Sequence, residues 1–371
     1  MLLNKFKSHL DTTDNQFGFK KKHSTEMCCF ALKEIIDMYT SNSTPVYLCF
    51  MDASKAFDKV NHFHLYKKLL SRGVPTIVMR LLRYWYGAQK FAVRWNGILS
   101  QGFTVTNGIR QGGVLSPYLY NAFVDELSER LTKLGVGCLI DGKIINHLFY
   151  ADDSVLVAPS PTALQYLIDA CSRYAEEYEI TYNCTKTKCM YILPDSLADL
   201  RIPDLYLKKS KLVWTTSKMY LGVVFSSDQL DDLDINRERC SMYGRGNILV
   251  RKFKKCSESI KLRLFKSYCN QFYCSALWCR YSNLNKLRVA YNNTFRMLFN
   301  IRGIVSYTNI YMNVGLYTWM ALLRKAMYNL YSRVSATDNC VLHTVFNSCF
   351  FKHRSHLYKH WKDEFLSTYV S

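Results

Sequence analysis

The sequence predicts an α+β fold in which a sheet carries helices on one face and carboxylates at neighbouring strand ends. An apolar run at residues 46–51 ends at Asp52, and a mostly apolar run at residues 147–151 ends at Asp152 and Asp153. Such runs are typical of buried strands, and segments with apolar residues at helical spacing lie between them. The order is strand, helix, loop, helix, hairpin, helix, strand and strand, which is that of an α+β sheet protein.

The composition indicates a globular protein that binds a polyanion. The chain has 371 residues, of which 49% are hydrophobic and 21% are charged, and this balance excludes a disordered protein. The net charge is +20, from 49 Lys+Arg against 29 Asp+Glu, so nucleic acid or an anionic membrane is the expected partner. No apolar run approaches the roughly 18 residues of a membrane span, which favours nucleic acid.

The cysteines and the N-terminus indicate an intracellular protein. The 14 cysteines are scattered without a compact framework, which predicts free thiols in a reducing compartment, either nucleus or cytoplasm. Residues 1–14 contain no apolar core of the kind found in secretory signals.

Helices are expected on both sides of the first strand. Ser24 is a suitable N-cap for a helix that runs to about Tyr39. Asn61 can cap a second helix, which would stop at Gly73 before Pro75. The first strand would therefore lie between two helices along the chain.

A glycine-rich loop containing an arginine and a glutamine follows at residues 108–117. Ser116 as N-cap, with Pro117 at the first helical position, predicts a helix through about Leu131. Glycines let the backbone approach a ligand closely. An ordinary strand-to-helix loop has the same composition, however, and taken alone the segment favours that interpretation.

The two adjacent carboxylates are expected at the tip of a hairpin. Because residues on a strand alternate faces, a strand, tight turn and strand would bring Asp152 and Asp153 to the tip. Neighbouring anions repel, and their burial without a cation is unfavourable, so the functional interpretation is a divalent-metal site. A solvated acidic turn is the alternative, since aspartate is an ordinary turn residue.

Further turn and cap signals surround this hairpin. The Asp-Gly pair at 141–142 predicts a hairpin turn, and the Ser-Pro pair at 160–161 predicts the start of a helix. The apolar stripe within residues 164–178 is expected to pack against the sheet. Residues 188–193 and 219–225 are predicted to be strands.

From about residue 228 the chain is expected to be helical, basic and aromatic, which divides it into residues 1–227 and 228–371. Between Arg245 and Lys266 basic residues far outnumber the single acid, Glu258. A charge run usually marks a solvated face. Here aromatic and aliphatic residues interleave with the charges, which suits a helix lying along a nucleic-acid backbone.

Cysteines and histidines near the C-terminus have the right ligand types for zinc, but the cysteine spacing matches no zinc pattern. We therefore expect scattered thiols and surface histidines. These residues are Cys340, His343, Cys349, His353, His356 and His360.

Taken in order, these segments resemble the motifs of reverse transcriptases, specifically those of non-LTR (LINE-type) retrotransposons. The matching segments are residues 15–25 (QxGFRxxxST, with Lys20 in place of the usual arginine), 50–60 (motif A), 111–117 (motif B), 150–153 (motif C), 183–188 (motif D) and 220–222 (motif E, the primer grip).

The resemblance implies a right-hand polymerase palm, an antiparallel sheet with helices on one face, followed by an α-helical thumb and C-terminal region. It implies an RNA-directed DNA polymerase that extends a primer 3′-hydroxyl with dNTPs on an RNA template. Two Mg²⁺ ions about 3.5–4 Å apart, replaceable by Mn²⁺, would serve catalysis. The implied partners are RNA template, DNA primer and dNTPs, and not a membrane.

The resemblance also implies roles for individual residues. Catalysis would use Asp52, Asp152, Asp153 and Lys186, and the metal ligands would be Asp52, Asp152, Asp153 and the Ala53 carbonyl. Nucleotide binding would involve Ala53, Phe57 as a steric gate against a ribose 2′-hydroxyl, Arg110, Gln111, Gly112 and Lys20. Primer and template would contact Tyr150, Leu221, Gly222, Arg251, Lys252, Lys254 and Lys255.

The family normally carries an endonuclease domain and an N-terminal fingers extension before the first of these motifs. Because only residues 1–14 precede Asn15, we expect a truncated copy, a gene-prediction fragment or a domesticated remnant. Two hypotheses follow, an active polymerase and a non-catalytic nucleic-acid-binding remnant. A metal nuclease is disfavoured because motif B and Phe57 serve nucleotide incorporation.

Overall fold

The computed structural model describes residues 6–197, 200–301 and 306–365, and the chain divides into two compact units. The first unit comprises Met1–Cys28, Pro45–Tyr191 and Leu197–Thr215. The second comprises Cys29–Thr44, Ile192–Ser196 and Thr216–Ser371.

The regular elements are numbered here in chain order. The α-helices are α1 Thr25–Ser41, α2 His62–Ser71, α3 Thr76–Gly87, α4 Ser116–Lys133, α5 Pro161–Glu177, α6 Asp232–Phe253, α7 Glu258–Cys269, α8 Asn285–Phe299, α9 Tyr307–Asn313, α10 Trp319–Ser335, α11 Cys340–Asn347, α12 Cys349–His353 and α13 His356–Glu364. The strands are β1 Val46–Asp52, β2 Lys90–Phe91, β3 Arg94–Trp95, β4 Ile98–Leu99, β5 Phe103–Thr104, β6 Cys138–Ile140, β7 Lys143–Ile145, β8 His147–Tyr150, β9 Asp153–Ala158, β10 Lys188–Ile192, β11 Tyr206–Leu207, β12 Ser210–Lys211, β13 Val213–Trp214, β14 Ser217–Tyr220 and β15 Val223–Ser226. Short 3₁₀ helices lie at Lys7–Leu10, Asp195–Leu197 and Ser275–Leu277.

A five-stranded sheet in the order β13-β10-β1-β9-β8 organises the first unit. Strands β1 and β9 pair antiparallel, and so do β8 and β9. The edge strand β13 runs parallel to β10, so the sheet is mixed rather than wholly antiparallel as predicted. The combination of this sheet with the helices confirms the α+β class.

Strand β1 is buried over its whole length except at its last residue, Asp52, as its apolar sequence predicts. One set of alternating side chains, which includes Tyr47, Cys49 and Met51, packs in a core cluster with residues of α4 and α5. The other set is buried as well, so β1 is covered on both faces and not on one face alone.

Three of the four predicted N-caps are confirmed. The side chains of Ser24, Asn61 and Ser160 accept hydrogen bonds from backbone N–H groups in the first turn of α1, α2 and α5. The fourth prediction, for Ser116, is wrong. Helix α4 begins at this residue, and its hydroxyl donates to the carbonyl of Arg110 because the preceding glycine loop folds back over the helix start.

The segment at residues 219–225 is a hairpin and not the single strand predicted for it. Strands β14 and β15 pair antiparallel, and Leu221 and Gly222 form the turn with φ angles of 48° and 78°. Both angles are left-handed, as in the favoured two-residue hairpin turns. The hairpin turn predicted at residues 141–142 is confirmed between β6 and β7.

The basic run is carried by two helices and not by one. Helix α6 ends at Phe253, and α7 begins at Glu258 after Ser257, whose backbone is extended. The exposed members of this run are Arg251, Lys252, Lys254, Lys255, Arg263 and Lys266.

The cysteines and histidines near the C-terminus lie in or beside helices α11, α12 and α13. Across residues 6–197, 200–301 and 306–365, no group of three or more His, Cys, Asp or Glu side chains is arranged to hold a metal ion. Within those ranges, no helix is long and apolar enough to cross a membrane.

A buried carboxyl group makes the stability of the second unit sensitive to pH. Glu34 of α1 is 3% exposed, and its Oε2 accepts no hydrogen bond within the described residues. Burial and the nearby charge of Asp37 raise the pKa of Glu34 to about 8. In the unfolded chain the pKa of a glutamate is about 4.3. Between these values the folded state binds a proton that the unfolded state lacks, so stability falls as pH rises.

We predict that Glu34→Gln flattens this dependence, because a neutral amide carries no ionisation penalty. Urea denaturation between about pH 5 and 8 should show the variant gaining stability relative to wild type as pH increases. Glu258→Gln, at an exposed position on α7, is the matched control and should follow the wild-type profile. A Glu34→Gln profile parallel to wild type would contradict the prediction.

Candidate active site

The strand pairing places two of the predicted carboxylates opposite each other. Asp52 is the last residue of β1, Asp153 is the first residue of β9, and the register makes them direct partners. Directly opposed residues on antiparallel strands present neighbouring side chains on one face. Asp153 also pairs with Tyr150, the last residue of β8, so three predicted site residues meet at one edge of the sheet.

Asp152 lies in the two-residue turn that joins β8 to β9. The preceding residue, Ala151, has a left-handed backbone with φ 57°, which is uncommon for a residue that carries a Cβ. Partial desolvation and the nearby charge of Asp52 raise the pKa of the Asp152 carboxyl. Burial and the charges of Asp152 and Asp153 raise the pKa of Tyr120. The charges of Asp52 and Asp152 therefore act on each other, and those of Asp152 and Asp153 act on the same tyrosine.

The side chain of Gln16 holds this turn in place. Its Oε1 accepts hydrogen bonds from the backbone N–H of Ala151 at 2.8 Å and of Gly18 at 2.9 Å. The residue is 1% exposed. Gly18 packs so closely that an added Cβ would lie 2.5 Å from the Ala151 nitrogen. The segment that contains Gln16 and Gly18 thus holds the carboxylate turn in place.

A buried histidine supports the base of the same hairpin. The ring of His147 contacts Ser128 Oγ through Nε2 and Asn146 Oδ1 through Nδ1, both at 2.6 Å. Burial lowers the pKa of His147 to about 3, so the ring is neutral at physiological pH. A neutral ring with a partner at each nitrogen fixes the start of β8 without adding charge near the carboxylates.

The backbone of Asp52 is held by the loop that carries Lys186. The Asp52 N–H donates to Thr187 Oγ1 at 3.2 Å, and the Asp52 carbonyl accepts from the Asn183 N–H at 2.8 Å. Asn183 Oδ1 in turn accepts from the Lys186 N–H at 3.1 Å. Lys186 is exposed and lies beside a residue that touches Asp52. Ala53, the residue after Asp52, forms an isolated β-bridge with Tyr182, which lies just before this loop.

The glycine-rich loop packs against the segment that follows β1. The ring of Phe57 stacks on that of Tyr120, with centroids 4.7 Å apart, and its carbonyl accepts from the Ile109 N–H at 2.8 Å. Gln111 Nε2 donates to Asp58 Oδ1 at 3.2 Å. These contacts bring the predicted gate residue Phe57 and the predicted nucleotide residue Gln111 to neighbouring positions.

The other predicted nucleotide-binding residues differ in their exposure and in the hydrogen bonds that they make. Arg110 and Gly112 are exposed, and space is open around the α-carbon of Gly112, whose φ is 79°. The Lys20 ammonium donates to the carbonyls of Thr12 at 2.7 Å and Thr13 at 2.6 Å. The ammonium of Lys20 is thus used to hold the N-terminal segment in this structure.

The predicted primer and template residues outside this site belong to the second unit. The Leu221 carbonyl accepts a hydrogen bond from the Tyr273 hydroxyl at 2.8 Å, and Gly222 packs against the same ring. The four predicted cations of this unit lie at the end of α6 and just after it, and all are exposed. They are Arg251, Lys252, Lys254 and Lys255.

The donor set at the carboxylate edge has the chemistry that a divalent cation requires. Carboxylate and carbonyl oxygens are the ligands that Mg²⁺ prefers. Partial burial and, to a smaller extent, the charge of Asp52 raise the pKa of Asp152, and a bound cation would offset both effects. In the part of the chain that the structure describes, the side chains do not form a complete three-ligand cluster.

Sequence reasoning did not identify the residues that position the site. Gln16, Gly18, Asn183 and Thr187 act through hydrogen bonds or close packing with residues more than 100 positions away. No local pattern reports such contacts. The only sequence signal for them was their presence in segments that resemble family motifs.

Comparisons with known proteins agree with these motifs. Residues 1–225 match the family model described as reverse transcriptase (RNA-dependent DNA polymerase). The RNA-directed DNA polymerase from the mobile element jockey of Drosophila funebris is 27% identical over 74% of this chain and 30% of its own length. The probable RNA-directed DNA polymerase from the transposon X-element of Drosophila melanogaster is 24% identical over 88% of this chain and 36% of its own. The chain therefore spans only a minor part of these relatives.

Two solved telomerase structures are also similar. Apo telomerase from Candida tropicalis has a TM-score of 0.46 at 12% identity, covering 93% of this chain and 58% of that chain. The same telomerase with a TWJ fragment of telomeric RNA has a TM-score of 0.46 at 12% identity, covering 94% and 52%.

We predict that Gln16→Ala destabilises the carboxylate turn. The substitution leaves the buried N–H groups of Ala151 and Gly18 without an acceptor, and an unsatisfied buried group costs about 1–3 kcal/mol. The free energy of unfolding from urea denaturation should fall by that amount, and hydrogen exchange at Ala151 should accelerate.

Gln165→Ala is the matched control for this experiment. Gln165 also bonds backbone groups, those of Tyr206, but it does so at the surface, where water can replace it. The expected loss is below about 1 kcal/mol. Equal losses in the two variants would contradict a special role for Gln16.

Proposed function

Because the chain belongs to the reverse transcriptase (RNA-dependent DNA polymerase) family, whose model matches residues 1–225, we propose that it extends a DNA primer on an RNA template. The observation that carries the proposal is the β1–β9 register, which sets Asp52 opposite Asp153 with Asp152 in the adjoining turn. Family membership confirms the resemblance predicted from the motifs and the right-hand palm that it implied.

The proposed reaction joins the primer 3′-hydroxyl to the α-phosphate of a dNTP and releases pyrophosphate. Enzymes of this family use divalent metal ions. We assign Asp52, Asp152, Asp153 and the Ala53 carbonyl as the ligands of two Mg²⁺ ions, for which Mn²⁺ can substitute. Bound there, the ions would activate the hydroxyl and neutralise the charge that develops on the phosphates.

The chain's own residues would then position the reactants, which is the main protein contribution in phosphoryl transfer. We assign Phe57 to the sugar of the incoming nucleotide, where its ring would exclude a 2′-hydroxyl. Arg110, Gln111 and Gly112 would line the nucleotide and template base, since the loop that carries them packs against the Phe57 segment. Lys186 would protonate the departing pyrophosphate.

Lys20 belongs to the same proposed nucleotide site, and its role requires a change of partner. Its ammonium is bonded to two backbone carbonyls and lies 3.9 Å from an Asp14 carboxylate oxygen. A triphosphate carries more negative charge than these groups and would compete for the ammonium. We therefore assign Lys20 a contact with the triphosphate that forms when the nucleotide is bound.

Primer and template contacts complete the proposal. Tyr150 lies beside the carboxylate edge and would contact the primer end. Leu221 and Gly222 would form the primer grip, and the exposed cations at the end of α6 and just after it would bind phosphates of the duplex. In this scheme residues 1–227 form the polymerase region and residues 228–371 a thumb-like region.

We predict that Asp152→Asn with Asp153→Asn abolishes primer extension on an RNA template with Mg²⁺ or Mn²⁺. Loss of one electrostatic group in an active site commonly lowers kcat by about 10²- to 10³-fold, and two are lost here. Asp204→Asn, an exposed carboxylate in the same unit, is the control and should retain activity.

The same experiment separates the proposal from the alternative, a nucleic-acid-binding remnant without catalysis. Absence of extension by wild type, together with salt-dependent binding equal in wild type and double variant, would establish the remnant. Degradation of a labelled duplex without added nucleotides would instead indicate a metal nuclease.

We predict that Phe57→Val admits ribonucleotides. Removing the ring opens space at the expected 2′ position, and steric discrimination by one group is typically about 10- to 200-fold. The ratio of kcat/KM for rNTP over dNTP should rise by a factor in this range. Phe63→Val, at a residue that is 70% exposed on α2, should leave the ratio unchanged. An unchanged ratio in Phe57→Val would remove Phe57 from the proposed gate.

A further inference from the structure

An exposed β-ribbon projects from the first unit between helix α3 and the glycine-rich loop. The ribbon comprises residues 90–104, in which β2 pairs with β5 and β3 pairs with β4. Its turn is formed by Asn96 and Gly97, with φ angles of 46° and 84°. The Ser100 N–H donates to the Val93 carbonyl at 2.9 Å, which joins the two strand pairs into one continuous ribbon.

Both faces of the ribbon tip expose apolar side chains. Trp95 is 77% exposed and its partner Ile98 is 75% exposed. On the opposite face, Leu99 is 65% exposed beside Arg94. Large apolar side chains exposed close together mark an interaction site.

The charged residues of the ribbon and of the segments that flank it in sequence are all basic. Residues 76–124 contain no aspartate or glutamate. The exposed basic residues of this stretch are Arg80, Arg83, Lys90, Arg94 and Arg110. Helix α3 adds further exposed apolar residues, which are Ile77, Leu81, Tyr84 and Trp85.

A cavity connects the ribbon to the proposed nucleotide site. It has a volume of about 420 Å³, and Phe91 and Phe103 of the ribbon line it together with Arg110 and Gln111 of the glycine-rich loop. Asp58, which accepts a hydrogen bond from Gln111, also lines it. A strand lying on the ribbon would therefore reach the loop through this cavity.

We propose that the ribbon and the exposed face of α3 form a platform for single-stranded RNA, on which unpaired template bases stack before they reach the active site. The claim that these bases move from the platform to the active site rests on the proposed function. Exposed aromatic rings beside cations are the combination that binds single-stranded nucleic acid. Every base has a π-face that can stack on a ring, and every phosphodiester linkage carries a negative charge. A duplex offers its phosphates but not its stacked base faces.

The charge of the surface argues against a second copy of this chain as the occupant. In a symmetric dimer the same patch would face itself, so the arginines of one copy would oppose those of the other. Like charges placed across an interface are strongly unfavourable. The backbone of a nucleic acid supplies the complementary charge that this stretch of the chain lacks.

Binding of a labelled oligouridylate to the full chain, without dNTPs or divalent metal, tests the platform. Trp95→Ala should weaken binding by about tenfold, within the range for loss of one stacked base. Tyr166→Ala, an exposed aromatic on α5, should bind like wild type. Arg94→Ala should reduce the slope of log affinity against log salt by about 0.7, as expected for one lost contact to a single strand. Arg201→Ala, at another exposed arginine, should leave the slope unchanged.

Three outcomes would overturn the inference. One is wild-type affinity and salt slope in both ribbon variants, whose folding is checked by thermal melting. A second is an effect of Trp95→Ala on sedimentation, from dimer to monomer, without an effect on RNA binding, which would make the ribbon a self-association surface. The third is an equal loss of affinity for duplex RNA in Trp95→Ala, which would exclude base stacking. Because no turnover is needed, the platform can fail while primer extension succeeds, and the reverse.

Discussion

The antiparallel pairing of β1 with β9 is the constraint on which the rest of the structure depends. It places Asp52 at the end of one buried strand opposite Asp153 at the start of the next. A slip of one residue would turn each side chain of β9 to the other face and separate the carboxylates. The buried positions on both strands prevent such a slip, because it would expose part of the core and bury polar groups.

Around this pairing, side-chain and backbone groups from distant segments form hydrogen bonds with the backbone of the site. The turn before Asp153 has a left-handed residue whose N–H is bonded by Gln16. The end of β1 has an N–H and a carbonyl that are bonded by Thr187 and Asn183. Buried backbone groups without partners are costly, so these bonds fix the position of the carboxylates and not only their proximity.

The distribution of charge explains how one chain can gather carboxylates at one place and still have a strongly positive net charge. The chain carries a net charge of +20, and its cations lie in stretches such as residues 76–124 and 245–266. The carboxylates of the site are few and gathered at strand ends. Long-range attraction of anions follows the net charge, whereas burial and the charge of Asp52 act locally and raise the pKa of Asp152. The two effects act over different distances and do not conflict.

The sequence by itself determined the α+β class, the buried strand before Asp52, the carboxylate hairpin and most helix caps. These features depend on neighbours in the chain, through periodicity, turn residues and short hydrogen bonds. Only the tertiary structure decided that Ser116 bonds the Arg110 carbonyl, that residues 219–225 fold into a hairpin, and that Gln16 clamps the turn. These features depend on which groups, distant in sequence, compete for the same hydrogen bond or the same space. The local sequence does not show the outcome of that competition.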